Sequence, residues 1–253
     1  MHPGEPQNTK MTFITLAEDD ALPYMKAGAV VGGHRLPWGS NHSFLIGLKV
    51  DENHYIRAIY KPRDGERPLR DFAYGTLYKR EYLSFLLSRS LGWPPIPLTL
   101  IREGPLGPGS FQLYVEHDPE TTYFNIVQTR AMELERFAVF DLLTNNADRK
   151  AGHFLVDEKD KIWSIDHGLN FHTIFKLRTV MFEFCDLNIS KLLLTDLEIL
   201  LGLLESNNTF SIQFSEMLSL EELTALKSRL AAILENPKIP NLDPSLNVPW
   251  PWV

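Results

Sequence analysis

The sequence predicts an α+β protein of two lobes: a small, mainly antiparallel β lobe with one key helix, then a mainly helical lobe. Two observations carry this. Before residue 130 or so, short β-rich runs alternate with Gly/Pro punctuation, and beyond it apolar residues recur at helical spacing over long segments. The composition agrees with a packed globule, since 44% of the 253 residues are hydrophobic and 23% charged.

The front half reads in order. Thr15-Leu-Ala-Glu18 has the form of a capping box and opens a short helix limited by Pro23. Val30 to Arg35, Ser43 to Val50 and Tyr55 to Tyr60 read as strands, the last ending in Lys61-Pro62. Tyr78 to Leu91 carries an apolar stripe that stops at Gly92, as a helix does at a left-handed C-cap. Ile96 to Arg102 and Phe111 to Glu116 are two more strands around a Gly/Pro-rich loop, Glu103 to Gly109. In the back half, Ala131 to Leu143 is a buried helix. Phe154 to Val156 and Lys161 to Ile165 form a short hairpin, and Ser190 to Leu204 and Ser219 to Leu234 are further helices. The predicted division is a flexible N-terminus at 1–9, a β lobe at 10–116, a helical lobe at 117–235 and an extended tail at 236–253. That tail holds five of the 17 prolines and two of the five tryptophans, and Trp250 and Trp252 are expected to pack back on the body.

Composition also excludes. With 25 basic against 32 acidic side chains the net charge is −7, and no Lys/Arg block reaches five residues, which argues against a nucleic-acid partner. The lone Cys185 rules out a disulfide within the chain and a Cys-rich zinc site. The strongly apolar Leu192 to Leu204 is broken by Thr195, Asp196 and Glu198 and is far shorter than the roughly 20 residues a spanning helix needs. Residues 1–10 lack a signal-peptide pattern, so a cytoplasmic location without a transmembrane segment is expected.

The chemistry-bearing residues suit phosphoryl transfer, which depends on positioning phosphates, neutralising them and orienting an acceptor hydroxyl. Lys61 closes an apolar strand and could reach nucleotide phosphates if Glu81, on the following helix, held it. From spacing alone, this pairing and two unrelated surface contacts weigh equally. In Asn145-Asn-Ala-Asp-Arg-Lys-Ala-Gly-His153, Asp148 can orient or deprotonate a hydroxyl, and Lys150 can neutralise phosphoryl oxygens. Trp163-Ser-Ile-Asp-His-Gly168 delivers Asp166 from a strand end just before a glycine, a setting that suits a phosphate-bridging Mg²⁺.

Asn146-Ala-Asp-Arg-Lys-Ala-Gly-His153 and Ile165-Asp-His-Gly-Leu-Asn-Phe-His172 resemble the catalytic and metal-binding loops of the phosphatidylinositol 3-/4-kinase-like superfamily. Together with Gly39-Ser-Asn-His-Ser-Phe44, Tyr60-Lys-Pro62, Gly65-Glu-Arg-Pro-Leu69, Arg80-Glu81 and Leu177-Arg-Thr179, they resemble a bacterial branch similar to HipA-type kinases and type II phosphatidylinositol 4-kinases. The resemblance covers residues 30 to 185 and implies a protein-kinase-like fold with ATP and Mg²⁺ between the lobes. It implies that Lys61, paired with Glu81, contacts phosphates, that Asp148 is the catalytic aspartate and that Asp166 is the principal metal ligand. Ser40 and Asn41 would lie over the phosphates, and Gln112, Tyr114, Val115 and Glu116 would belong to an inter-lobe segment bonding the adenine. His153 stands where asparagine is the usual second metal ligand. An imidazole is the softer donor, which brings Mn²⁺ into play beside Mg²⁺. Neither G-x-G-x-x-G nor a Walker A motif occurs.

Two other readings stand beside this enzyme. A pseudokinase would bind nucleotide without turnover because of His153. A metal-dependent phosphohydrolase would gather Asp148, His153, Asp166, His167 and His172 around a transition metal. The acceptor is an unidentified hydroxyl of a small molecule, lipid headgroup or protein. His172, Lys176 and Arg178 would suit an anionic one, or else form a solvated face.

Overall fold

The computed structural model describes residues 11–37, 39 and 41–252. The expectations for residues 1–9 and for Ser40 lie outside these described residues. The N-lobe sheet runs in the order β2 (Val30–Arg35), β3 (Phe44–Lys49), β4 (His54–Pro62), β6 (Gly107–Leu113), β5 (Thr99–Gly104), all antiparallel. A two-residue β1 (Thr12–Phe13) joins β4 in parallel. Strand β4 alternates strictly, burying Ile56, Ala58 and Tyr60 and turning Arg57, Ile59 and Lys61 to the other face. The buried face packs on α1 (Glu18–Ala27), through Ala21 and Met25, and on α2 (Leu77–Leu91).

Helix α1 starts beyond Ala17, and the expected Thr15 cap is absent; Pro23 is carried inside the helix, in its second turn. Helix α2 ends where expected, on Gly92 at φ 77°, a left-handed conformation that glycine adopts without strain. The region read as a Gly/Pro loop is instead a tight hairpin, with Glu103 opposite Pro108 and Gly104 opposite Gly107. Its glycines serve close approach, because a Cβ on Gly104 would meet the Tyr60 and Phe111 rings at 2.6 and 2.8 Å.

The C-lobe centres on α4 (Ala131–Thr144), whose Phe137, Val139, Phe140 and Leu143 are buried, with the β7–β8 hairpin (Phe154–Val156, Ile162–Ser164) after it. Helices α5 (Lys191–Glu205) and α7 (Leu220–Glu235) pack through aliphatic side chains at heptad-like spacing, Leu193, Leu197, Leu200 and Leu204 on one and Leu226, Leu230 and Ile233 on the other. Two short helices were not legible in the sequence, α3 (Tyr123–Ile126) and α6 (Thr209–Met217). Residues beyond Glu235 run back along the C-lobe through the buried Ile239, Leu242 and Pro249. Trp250 and Trp252 both depart from the expectation of burial, being 87% and 57% exposed, because the segment is held by main-chain hydrogen bonds that need no buried indole. Among the described residues no helix is long and apolar enough to cross a membrane.

Candidate active site

Both lobes contribute charge to one point. Lys61, at the end of β4, ion-pairs with Glu81 of α2, which is 3% exposed, and its Nζ lies 3.0 Å from Asp166 Oδ1 in the C-lobe. The second Glu81 oxygen accepts the His167 backbone N–H at 3.0 Å, so one carboxylate joins the lysine to the loop that carries Asp166. Two carboxylates outweigh the burial that would lower the Lys61 pKa, and push it above the ordinary lysine value. Against the desolvation of the cleft floor, Lys61 in turn holds the Asp166 carboxyl well below the usual range. Asp166 sits at φ 60°, a strained conformation for a non-glycine residue that turns its side chain out from the strand end.

The loop after α4 is fixed from beneath. Asn145 closes the helix in the left-handed region, at φ 56°. Arg149, fully buried, donates to both oxygens of Asp141 at 2.7 and 3.0 Å, and Asn146 Nδ2 adds a third bond to Asp141 at 2.9 Å. Arg149 also donates to the Ile165 carbonyl at 2.9 Å, one residue before Asp166. The Asp148 and Asp166 loops are therefore tied to one guanidinium. Asp148 is partly open, its Oδ2 3.3 Å from Lys150 Nζ. Burial pushes its carboxyl up to about 6, with Asp166 adding to the shift and Lys150 opposing it, which poises Asp148 to exchange a proton near neutral pH.

His153 Nε2 lies 3.4 Å from Asp166 Oδ2. Burial pulls His153 down to about 3, so the ring is neutral. Its Nδ1 accepts the Lys150 backbone N–H at 3.3 Å, which leaves the proton on Nε2, facing Asp166. Asp148 and Asp166 offer hard carboxylate oxygens of the kind Mg²⁺ or Mn²⁺ takes, but among the described residues no three His, Cys, Asp or Glu side chains are grouped as a metal site. In this tautomer His153 turns its Nε2 proton toward Asp166; to ligate metal through Nε2 it would have to move that proton to Nδ1, against the Lys150 amide.

The remaining expected residues are dispersed. Asn41 Oδ1 accepts the Arg67 backbone N–H at 2.8 Å, tying the loop at Gly39 to the segment after β4. Gln112 belongs to β6 instead of the inter-lobe segment: opposite Ile59 and buried, it donates to Thr99 Oγ1 at 2.9 Å. The connection itself is anchored on Arg57, whose carbonyl accepts the Tyr114 N–H at 3.1 Å and whose guanidinium pairs with Glu116; the Val115 carbonyl accepts from His117 at 2.8 Å. The five residues of the phosphohydrolase reading do not converge. His167 is neutral through burial and the Arg149 charge, with Nδ1 toward Arg149 and Asn170, while His172 packs against Phe72 with ring centroids 5.1 Å apart. Lys176, one of the basic residues offered for an anionic acceptor, is paired with Asp71.

Sequence reasoning missed Asp141 and Glu66. Glu66, buried, accepts the Tyr78 N–H at 2.9 Å and so caps α2, a task Thr76 leaves undone because its hydroxyl donates to Ala73. The neighbouring Gly65 carbonyl accepts the His42 N–H at 2.9 Å, so residues 65–67 join the Gly39 loop to the helix carrying Glu81. The one available signal for Glu66 was its place in the Gly65 to Leu69 motif.

No family model matches the chain. Protein Rv2133c of Mycobacterium tuberculosis is 31% identical over 278 aligned positions, which cover 94% of this chain and 97% of that protein. Golgi casein kinase with Mn/ADP bound superposes with a TM-score of 0.54 at 16% identity, over 86% of this chain and 74% of that one. The Helicobacter pylori proinflammatory kinase CtkA gives 0.51 at 13% identity, over 83% and 93%. At such identities the likeness establishes the fold alone, a bilobal protein-kinase-like one; the narrower likeness to phosphatidylinositol 3-/4-kinases rests on the sequence motifs.

Proposed function

The chain belongs to the same family as protein Rv2133c of Mycobacterium tuberculosis, and from that premise we propose that it is an ATP- and metal-dependent phosphotransferase of the phosphatidylinositol 3-/4-kinase-like superfamily, acting on a hydroxyl acceptor. The observation that supports it most is the Lys61–Glu81–Asp166 cluster, which spans both lobes and gathers a cation and a metal-competent carboxylate at one place. ATP with Mg²⁺ or Mn²⁺, when bound, supplies the transferable phosphoryl group and its charge neutralisation. Lys61 holds phosphate oxygens and Glu81 keeps Lys61 extended toward them. Asp166 holds the metal, with His153 beside it. Asp148 orients the acceptor hydroxyl and takes its proton, its raised pKa matching that task. Lys150 offsets charge on the transferring group. The Gly39 loop with Ser40 and Asn41 covers the phosphates, and the stretch of Tyr114, Val115 and Glu116 borders the adenine.

A second reading has its own observation. The His153 tautomer and the Lys61–Asp166 pair leave few free metal donors, which would suit a pseudokinase that binds nucleotide without turnover. Thermal unfolding with ATP, ADP or AMP, each with Mg²⁺, Mn²⁺ or chelator, tests the site. A ligand bound only by the folded state stabilises by about 2.7 kcal/mol at 100 times its dissociation constant. An ATP shift that requires metal and vanishes in Asp166→Ala supports the phosphotransferase. A metal-independent shift with no ATP consumption supports the pseudokinase, and no nucleotide shift at all refutes both.

A further inference from the structure

The chain beyond Asp243 returns to the loop that carries Asp148. A turn closed by the Leu246 and Asn247 N–H groups on the Asp243 carbonyl, at 3.0 and 2.8 Å, directs it there. Asn247 then brackets the segment 177–179: its carbonyl accepts the Thr179 N–H at 2.8 Å and its Nδ2 donates to the Leu177 carbonyl at 2.8 Å. Five residues on, the Trp252 carbonyl accepts the Ala151 N–H at 2.9 Å. Ala151 is fully buried and lies between Lys150 and His153, so without Trp252 its amide would lose that partner in a dry environment.

The segment 177–179 is itself paired with the Asp148 loop. Arg149 N–H donates to the Arg178 carbonyl at 3.0 Å and Arg178 N–H to the Asn146 carbonyl at 2.9 Å. Three layers result: the Asp148 loop, segment 177–179, and the terminal segment, which bonds to both of the others. Its grip is mainly hydrogen bonding. The Trp252 ring meets Phe124 edge to face, centroids 6.3 Å apart, and stays 57% exposed. Such a contact can be lost without emptying the core.

We propose that Asn247–Trp252 is a positioning strap that acts in cis, holding the Asp148–His153 loop in register so that Asp148 and Lys150 face Asp166. Its catalytic consequence rests on the phosphotransferase reading; the ordering of the loop does not. The test is a chain ending at Leu246, compared with the full chain by amide hydrogen exchange, ATP-dependent thermal shift and ATP turnover. The expected result is exchange at least tenfold faster in the peptide containing Ala151, an ATP shift that persists, and a kcat at least tenfold lower with KM for ATP within twofold. A synthetic peptide of residues 244–253 should restore protection. If the shortened chain does not fold, Asn247→Ala and Trp252→Gly in the full chain should each raise Ala151 exchange. Unchanged exchange overturns the strap, as does faster exchange with turnover unchanged from a measurable full-chain rate. Faster exchange in a protein that shows neither ATP shift nor turnover at full length supports the strap and overturns the phosphotransferase reading.

Discussion

Asp141→Ala should be among the most destabilising single changes in the C-lobe, and its magnitude can be worked from the site. Asp141 is 1% exposed and Arg149 not exposed at all, and the carboxylate accepts three hydrogen bonds, two from Arg149 and one from Asn146. Truncation leaves the guanidinium buried with the Ile165 carbonyl and His167 Nδ1 as remaining partners. Removing one member of such a pair costs about 3–5 kcal/mol, since a charge is left without compensation in a low-dielectric interior. For a chain of this size each kcal/mol lowers the midpoint by about 2–4 °C, so the melting temperature should fall by about 6–20 °C. Urea unfolding at neutral pH measures the first figure and a thermal melt the second. The double variant Asp141→Leu/Arg149→Met should recover most of the loss, because apolar side chains of similar bulk carry no desolvation penalty. A single-variant cost under about 1 kcal/mol, well below the range for a buried pair, would refute the reasoning. So would a double variant as unstable as the single one, which would mean that packing, not an unpaired charge, sets the cost.

Three further outcomes are expected. Asp148 has a folded pKa of about 6, above the ordinary 3.8, so it favours folding when protonated and that contribution is lost as pH rises through 6; Asp148→Asn should therefore melt higher than the parent at pH 8 and alike at pH 3, and equal midpoints at pH 8 would contradict the raised pKa. Activity should show the opposite dependence, falling below pH 6 as Asp148 protonates, and a flat profile from pH 5 to 8 would remove it as the base. His153→Asn puts an amide oxygen in place of the softer imidazole, so the Mg²⁺-dependent ATP shift should grow relative to the Mn²⁺ one, and an unchanged ratio would mean that residue 153 does not meet the metal.

The sequence by itself determined the lobes, the helix stop at Gly92 and the placing of Asp148 and Asp166 on loops beside strand and helix ends. Those features follow from period, punctuation and short motifs, which are local. The Lys61–Glu81 pair, evenly weighed from spacing, was decided by the packing of α2 against the end of β4. Glu66, Asp141 and the Trp252 carbonyl were illegible because each acts on a partner that only folding brings near: Glu66 on the Tyr78 amide, Asp141 on Arg149, Trp252 on Ala151. The Glu103 to Gly109 loop was misread because its glycines look like turn residues, whereas the hairpin needs some of them where the Tyr60 and Phe111 rings leave no room for a Cβ. Gln112 and His153 show the same limit in the site. The resemblance implied an adenine contact for one and a metal position for the other, yet the orientation of each is set by its packed neighbours, Thr99 for Gln112 and the Lys150 amide with Asp166 for His153. A side chain's identity is written in the sequence; which way it donates is decided by what tertiary structure sets against it.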